Sequence, residues 1–150
     1  MPRILIVHHS PSPGTRAMFE AVRDGASNDQ LEDVEVVTRA ALGATQADVL
    51  AADGYLLGTT ANIGYISGAL KHFFDTVYYP VMDETDGRPY AAFVHGNLDT
   101  GGAVRALESI TKGMGWRKAA DPVEVMGDPS RQDLEACWNL GATVAAGLVM

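Results

Sequence analysis

The residues of this chain best suited to chemistry lie between an apolar run and a helical pattern near the amino terminus. The run at residues 4–7 is followed by His8 and His9 and then by a loop rich in hydroxyl groups. The loop residues that could hold an anion are Ser10, Ser12, Pro13, Gly14, Thr15 and Arg16. A helix amino terminus offers free N–H groups and a positive dipole end, and glycine allows close approach. A phosphate site is one interpretation, although an ordinary Ser or Thr helix cap explains the loop slightly better when it is taken alone.

The same loop excludes several other chemistries. It lacks the G-x-G-x-x-G turn of dinucleotide-binding folds and the G-x-x-x-x-G-K-[ST] sequence of the phosphate-binding P-loop. It holds no cysteine nucleophile and no pair of carboxylates, and neither His9 nor His95 has a carboxylate or cysteine at ligand spacing, so we predict no metal site. Pro11 and Pro13 remove two backbone donors. The N–H groups expected to remain for an anion are those of Ser12, Gly14, Thr15 and Arg16.

Alternating strand and helix patterns must position this loop. Buried-strand patterns occupy residues 3–8, 34–37, 54–58, 89–94 and 120–125, and helical patterns occupy residues 15–27, 45–52, 70–77, 103–110 and 132–149. Parallel strands need crossover connections, so this alternation predicts a parallel sheet covered by helices on both faces. Five such units favour an α/β, flavodoxin-like three-layer sandwich with a five-stranded parallel sheet in the order 2-1-3-4-5. Ligands would then bind beyond the carboxyl ends of the strands, at residues 10–16, 59–67 and 95–102.

Size and charge narrow the class of protein. The 150 residues suit one domain spanning residues 1–150. A net charge of -8 at pH 7 opposes binding to nucleic acid or anionic lipid. The one cysteine, Cys137, lies in an apolar helical pattern and is expected in the core, which leaves no disulfide framework. No stretch approaches the roughly 20 apolar residues of a membrane span, and we expect a cytoplasmic protein.

A longer segment carries the more specific signal. Residues 58–75 read GTTANIGYISGALKHFFD, and they match the pattern Ser-Gly-x-x-Lys at Ser67, Gly68 and Lys71, with Asp75 at its end. This segment resembles the loop and helix after the third strand of FMN-binding flavodoxin-like proteins, in particular the NAD(P)H-dependent FMN reductase and quinone reductase branch. Together with the loops at residues 10–16 and 95–102, the resemblance covers most of the chain.

The resemblance implies that FMN lies across the three loops, with its phosphate on the first loop and its ring edge against residues 60–64. The implied cofactor contacts beyond the first loop are Thr60, Ala61, Asn62, Ile63, Gly64, His95, Gly96, Asn97, Asp99 and Gly101. Asn62 and Gly64 tolerate a positive φ, which would leave backbone groups free to bond the flavin. A carboxylate at Asp99 would disfavour an anionic reduced flavin. The flavin would supply the redox chemistry, so no side chain need be catalytic.

Three functions stay open on these residues. We favour an oxidoreductase that passes electrons from NAD(P)H to a quinone or similar acceptor. Residues 95–99 offer no Trp or Tyr to cover the flavin ring, and an open ring face suits hydride delivery from NAD(P)H. The acidic surface favours the alternative, a flavodoxin-type electron carrier that docks on a redox partner protein. A flavin-free binding domain is the third. Assembly into a homo-oligomer is a further hypothesis, because residues 78–82 would expose apolar surface at a helix end. We interpret His8 as a buried histidine and expect His9 and His95 to line the pocket.

Overall fold

A mainly parallel sheet with helices on both faces organises the computed structural model, which describes residues 1–150. The strands are β1 (Arg3–His8), β2 (Glu35–Ala40), β3 (Gly54–Asn62), β4 (Tyr65–Ile66), β5 (Pro89–Gly96), β6 (Arg117–Lys118) and β7 (Val123–Met126). The α-helices are α1 (Pro13–Ala26), α2 (Gln46–Ala51), α3 (Gly68–Val81), α4 (Gly101–Gly113) and α5 (Arg131–Gly147). Short 3₁₀ turns lie at Asp29–Leu31 and Ala41–Gly43.

The strand order agrees with the sequence prediction. The order is β2-β1-β3-β5, and β6 and β7 both pair with β5, so these two short strands together take the fifth place. The predicted order 2-1-3-4-5 and the α/β class are therefore confirmed, but the sheet has seven strands rather than the predicted five, because the fifth strand is divided and β4 is added. The one departure from parallel pairing is the antiparallel hairpin that β4 forms with β3.

The fifth strand differs from its predicted bounds of 120–125. Tyr90 pairs with Lys118 and Phe93 with Val123, so residues 119–122 stand opposite only two residues of β5, and the ladder is interrupted after Ala119, whose N–H still donates to the Tyr90 carbonyl at 2.8 Å. Pro122 lies in this segment and has no N–H to donate, which accounts for the interruption.

The sheet separates two apolar layers. Ile4 and Ile6 of β1 pack with the buried faces of α1 and α5, whereas Leu5 and Val7 pack with those of α2, α3 and α4. All four side chains are fully buried. An apolar run without polar alternation is what a strand buried on both faces requires, and each such side chain contributes about 1.5–3 kcal/mol on burial.

The helices bury the apolar residues that their sequence spacing places on one face. Leu70, Phe73 and Val77 of α3 are buried, as their spacing predicts, and Cys137 of α5 is buried as expected. Within residues 78–82, Tyr79 is exposed but Val81 is fully buried, so the apolar surface at this helix end is smaller than expected, and the homo-oligomer stays a prediction. None of the helices has both the length and the apolar character needed to cross a membrane.

Two elements at the site have different bounds from those predicted. α1 begins at Pro13 rather than at residue 15, because Ser12 caps it and proline is well tolerated at the first helical position. β3 continues past the predicted end at Gly58, because Thr59 and Thr60 pair with Val94 and His95 of β5. Thr60, Ala61 and Asn62, which we expected in a loop, therefore lie in a strand.

Candidate functional site

The carboxyl ends of β1, β3 and β5 lie side by side and bring the three predicted loops together. His8 is paired with Gly58, and Thr60 is paired with His95. A small cavity of about 10 Å³, enough for roughly one water molecule, lies between these ends. It is lined by His9, Ser10, Thr15, Met18, Thr59, Phe93 and His95. The two histidines that we expected at the pocket are thus both beside this cavity.

The first loop is shaped by a reciprocal cap at the start of α1. The N–H of Thr15 donates to Ser12 Oγ at 3.2 Å, and the N–H of Ser12 donates to Thr15 Oγ1 at 3.0 Å. The Thr15 hydroxyl in turn donates to the Ser12 carbonyl at 3.0 Å. Thr15 is buried. Two of the hydroxyls predicted to meet an anion are therefore engaged in holding the helix start.

The free backbone donors of this loop differ from those expected. The N–H groups of Ser12 and Thr15 are used in the cap, and the N–H of Arg16 donates to the Ser12 carbonyl at 2.9 Å. Our expectation that these three donors would remain for an anion is wrong. The N–H groups of Ser10 and Gly14 make no hydrogen bond within the chain, so they are the donors available at this helix start.

Charge near the first loop comes from one exposed side chain. The Arg16 guanidinium is 62% exposed and lies 4.0 Å from Glu20, one turn further along α1. An exposed pair at this distance is weak, so the guanidinium can turn toward an anion at little cost.

Gly14 faces the loop after β7, where a Cβ on Gly14 would lie 3.0 Å from Pro129 Cδ. The loop after β7, residues 127–130, therefore borders the first loop, and we did not predict it as part of the site.

The imidazole of His8 lies beneath the first loop. Its Nδ1 lies 2.8 Å from Ser10 Oγ, and its ring stacks on Phe19 of α1 with the centroids 3.6 Å apart. Burial, then the nearby charges of Arg16 and His9, lowers the pKa of His8 from its ordinary value of 6.5 to about 4. The ring is therefore neutral at neutral pH. The interpretation of His8 as a satisfied histidine agrees with this hydrogen bond, but its position against Ser10 was missed.

The second loop is a tight turn between β3 and β4. Asn62 pairs with Tyr65, and the two residues between them, Ile63 and Gly64, have φ of 51° and 76°. Of the two residues that we named as tolerating a positive φ, Gly64 adopts one, whereas Asn62 closes the strand ladder and the left-handed conformation falls on Ile63. A β-branched residue in this conformation is strained by roughly 1–2 kcal/mol. The Ile63 side chain is fully exposed at the tip of the turn.

The third loop is fixed to its neighbours on both sides. Asp99 Oδ1 accepts the N–H of Gly101 at 3.0 Å, which holds the start of α4. His95 Nε2 donates to the Gly127 carbonyl at 2.8 Å, and this bond requires the hydrogen to be on Nε2. A Cβ on Gly102 would overlap the Gly64 carbonyl, so the turn after β3 rests directly on α4. Between these anchors, Leu98 is 92% exposed.

The predicted contacts thus divide into two groups by position. Residues at the open carboxyl edge are exposed or partly exposed: Ser10, Ser12, Pro13, Gly14, Arg16, Thr60, Ala61, Asn62, Ile63, Gly64, His95, Asn97, Asp99 and Gly101. Thr15 and Gly96 are buried behind that edge. Sequence analysis did not name residues 127–130 and did not assign a contact to His8 or to Leu98, although each follows or ends a predicted strand at this same edge. That shared location is the signal that could have identified them.

Comparison with known proteins adds a relationship in sequence. No family model matches the chain. The flavodoxin of Aquifex aeolicus (strain VF5) is 31% identical over 161 aligned positions, which cover 97% of this chain and 86% of that protein. A solved flavodoxin from the domain Archaea has a TM-score of 0.82 at 22% identity and covers 99% of both chains.

Two further solved structures agree with this result. The flavodoxin, WrbA-like protein from Agrobacterium tumefaciens has a TM-score of 0.80 at 21% identity, with 99% of this chain and 98% of that chain covered. Flavodoxin 1 from Bacillus cereus has a TM-score of 0.80 at 20% identity, with 97% and 99% covered. At these identities the structures establish the fold, and they confirm the predicted flavodoxin-like class.

Proposed function

Because the chain belongs to the flavodoxin family, we propose that it binds FMN and carries electrons to a redox partner protein. The observation that carries the proposal is the 31% identity to a flavodoxin over 97% of the chain. Bound FMN would supply the redox chemistry by taking up and releasing electrons. The proposal corresponds to the alternative in our sequence interpretation rather than to the NAD(P)H-dependent reductase that we first favoured.

The first loop fits the phosphate of FMN. Ser10 and Gly14 each present a free N–H, and the Arg16 guanidinium is exposed nearby. These donors lie at the amino terminus of α1, whose dipole favours an anion. Three donors with one positive charge are a suitable set for a phosphate group. We therefore assign Ser10, Gly14 and Arg16 to its binding, with Ser12 and Thr15 as the residues that shape the loop.

The turn after β3 and the loop after β5 fit the flavin ring. Asn62–Gly64 would hold one ring edge through backbone groups, and residues 95–99 would flank the ring from the other loop. Ile63 and Leu98 are large apolar side chains that are almost fully exposed. Covering them with an apolar ring removes their surface from water, which stabilises the complex by about 25 cal/mol for each Å² buried.

The surface charge supports a protein partner. The net charge is -8, and 19 acidic residues stand against 11 basic ones. Such a surface attracts a basic partner and repels nucleic acid. A redox protein with a basic face is accordingly the proposed partner.

One observation still favours the NAD(P)H-dependent oxidoreductase as a second candidate. Leu98 stands in the loop after β5 where an aromatic side chain could cover the ring, and neighbouring Asn97 and Asp99 are small and polar. A ring face bounded only by these side chains would be accessible to a nicotinamide. In that case NAD(P)H is the co-substrate and a quinone or similar small molecule is the acceptor.

The two candidates are separated by two measurements on the purified protein. Titration with FMN should quench the flavin fluorescence and saturate at one FMN per chain, and failure to bind FMN would reject both candidates. The FMN-loaded protein is then mixed with NADPH, with and without a quinone, beside free FMN at equal concentration. A carrier oxidises NADPH no faster than free FMN but, once chemically reduced, it passes electrons to a basic redox protein. Sustained NADPH oxidation above the free-flavin rate would establish the reductase instead.

A further inference from the structure

The Ser10 hydroxyl is held by a residue outside the first loop. Ser10 Oγ lies 2.8 Å from Nδ1 of His8, the last residue of β1. The His8 ring stacks on Phe19 with the two planes inclined by only 11°. The strand fixes the backbone of His8 and the stacking fixes its ring plane. The position of Nδ1 is therefore set by the sheet and α1 rather than by the loop.

The other two hydroxyls of the loop are already committed. The Thr15 hydroxyl gives its hydrogen to the Ser12 carbonyl at 3.0 Å. The Ser12 hydroxyl lies 2.9 Å from Thr15 Oγ1 and so donates to it, because the Thr15 hydrogen is directed elsewhere. Ser10 is the one hydroxyl of this group whose hydrogen can turn outward, and its contact with His8 decides whether it does.

The location of the imidazole hydrogen controls the Ser10 hydroxyl. With the hydrogen on Nε2, Nδ1 accepts from the Ser10 O–H, and Ser10 turns only lone pairs outward. With the hydrogen on Nδ1, His8 donates to Ser10 Oγ and leaves the hydroxyl hydrogen free to meet an anion. An anion beside Ser10 therefore selects the form with the hydrogen on Nδ1.

The environment of His8 favours the neutral imidazole over the cation. Burial, then the charges of Arg16 and His9, together lower the pKa of His8 to about 4. A neutral ring has one hydrogen to place, so the choice between the two nitrogens is meaningful at neutral pH. The positive charge at the loop is left to Arg16.

We propose that His8 is a positioning residue for the phosphate of FMN, which donates its Nδ1 hydrogen to Ser10 Oγ and turns the Ser10 hydroxyl hydrogen toward the phosphate. The inference rests on the proposed function for the identity of the ligand. The arrangement acts on the phosphate alone, since His8 and Ser10 lie at the first loop and not at the turn after β3. Riboflavin, which lacks the phosphate, is therefore the discriminating ligand.

Binding of FMN and of riboflavin to four variants tests the proposal. His8→Phe keeps a ring against Phe19 but removes the hydrogen bond, Ser10→Ala removes the hydroxyl, and His72→Phe on the exposed face of α3 is the matched control. We expect His8→Phe and Ser10→Ala each to weaken FMN binding by about 10- to 100-fold, as for loss of one hydrogen bond to a charged group. The double variant should bind FMN no more weakly than Ser10→Ala alone, because His8 acts on the phosphate only through the Ser10 hydroxyl. Riboflavin affinity should stay within about twofold throughout, and His72→Phe should bind both ligands as the wild type does.

Several outcomes would overturn the proposal. Equal losses for FMN and riboflavin in His8→Phe would show a general effect on the fold, and additive losses in the double variant would show that His8 and Ser10 act separately. If the wild type binds FMN and His8→Phe binds it equally well, this inference fails while the proposed function stands. If the wild type binds neither flavin, both fail together.

A measurement on the wild type keeps the test independent of variant folding. In ¹⁵N-labelled protein, long-range proton–nitrogen correlation distinguishes the two neutral forms of an imidazole. On addition of FMN we expect His8 to carry its hydrogen on Nδ1, and riboflavin should not produce that shift. A His8 ring that keeps its hydrogen on Nε2 with FMN bound would refute the proposal. His8→Asn, whose amide can donate from near the Nδ1 position, should recover part of the FMN affinity lost in His8→Phe.

Discussion

At the residue scale, His8 makes the stability of the fold depend on pH. Burial, then Arg16 and His9, lowers its pKa from 6.5 to about 4, so the unfolded chain binds this proton more readily than the folded chain. The folded state should therefore lose stability as the pH falls from about 6.5 to about 4. One ionisable group can change the free energy of unfolding by at most about 1.4 kcal/mol per pH unit. The ring of His8 is partly exposed, and solvent screening makes its contribution smaller than this.

Replacing this histidine should flatten that dependence. We expect His8→Phe to show a smaller decrease in the free energy of unfolding between about pH 6.5 and about pH 4 than the wild type, measured by urea unfolding at several pH values. His72→Phe, on the exposed face of α3, should keep the wild-type slope. Parallel curves for His8→Phe and the wild type would contradict a buried neutral His8.

The single cysteine should be inert in the folded protein. Cys137 is fully buried, and burial, then the Asp133 carboxylate, raises its thiol pKa to about 12. The thiolate is the reactive form, so both its low population and its inaccessibility oppose modification. We expect no reaction with a thiol-specific disulfide reagent under native conditions and complete reaction in denaturant. Rapid labelling of the native protein would show that α5 opens locally.

At the element scale, the order of strands and helices could be predicted but several boundaries could not. The apolar run of β1 and the buried stripe of α3 are local patterns, and both appear in the structure as expected. The end of β3 depends on pairing of Thr59 and Thr60 with β5, which lies about 35 residues further along the chain. The gap between β6 and β7 likewise depends on register with β5. Pairing partners are not encoded in a local window.

The candidate site shows the same division. Strand order alone brought the loops after β1, β3 and β5 to one edge, and the structure places them there. A helix cap at this loop was one of our interpretations, but the N–H groups that stay free were not predicted, because the reciprocal cap uses the backbone N–H groups of both Ser12 and Thr15 on side-chain oxygens. The left-handed conformation of Ile63 was also missed, since the residue type opposes it and only the hairpin register requires it.

Contact between α4 and the turn after β3 should be sensitive to one methyl group. A Cβ on Gly102 would overlap the Gly64 carbonyl, and both sides of this contact are backbone, so no side chain can rotate away. We expect Gly102→Ala to lower the free energy of unfolding by about 1–3 kcal/mol, the usual effect of overpacking. It should also weaken both FMN and riboflavin binding, because it displaces the turn proposed to hold the ring edge.

A matched control separates this contact from a general effect of glycine replacement. Gly68 begins α3 much as Gly102 lies at the start of α4, and nothing lies within 4 Å of the position where its Cβ would be. Gly68→Ala should leave stability unchanged or slightly increased, because alanine favours the helix. Equal effects of the two substitutions, measured by thermal and urea unfolding, would show that the approach of Gly102 to Gly64 is not limiting.

At the scale of the whole molecule, the proposed ligand contacts are largely separate from the residues that form the core. The two apolar layers lie on the faces of the sheet, whereas most of the proposed FMN contacts lie at its carboxyl edge and are at least partly exposed. Exposed apolar side chains at that edge, Ile63 and Leu98 among them, contribute nothing to folding that the structure shows. Their position is explained if a ligand or partner covers them. The edge can therefore vary with function while the layers preserve the fold.

The acidic charge of the molecule should make electron transfer to a basic partner depend on salt. A net charge of -8 attracts a basic redox protein over a distance that shrinks from about 30 Å at about 10 mM salt to about 8 Å at about 150 mM. We expect the rate at which the reduced, FMN-loaded protein reduces such a partner to fall about 10-fold or more over this range. Ferricyanide, a small anion that the same charge repels, should react faster as salt is added. A rate to the basic protein that does not change with salt would show that the acidic surface does not guide docking, and that contacts such as those of Ile63 and Leu98 determine the encounter instead.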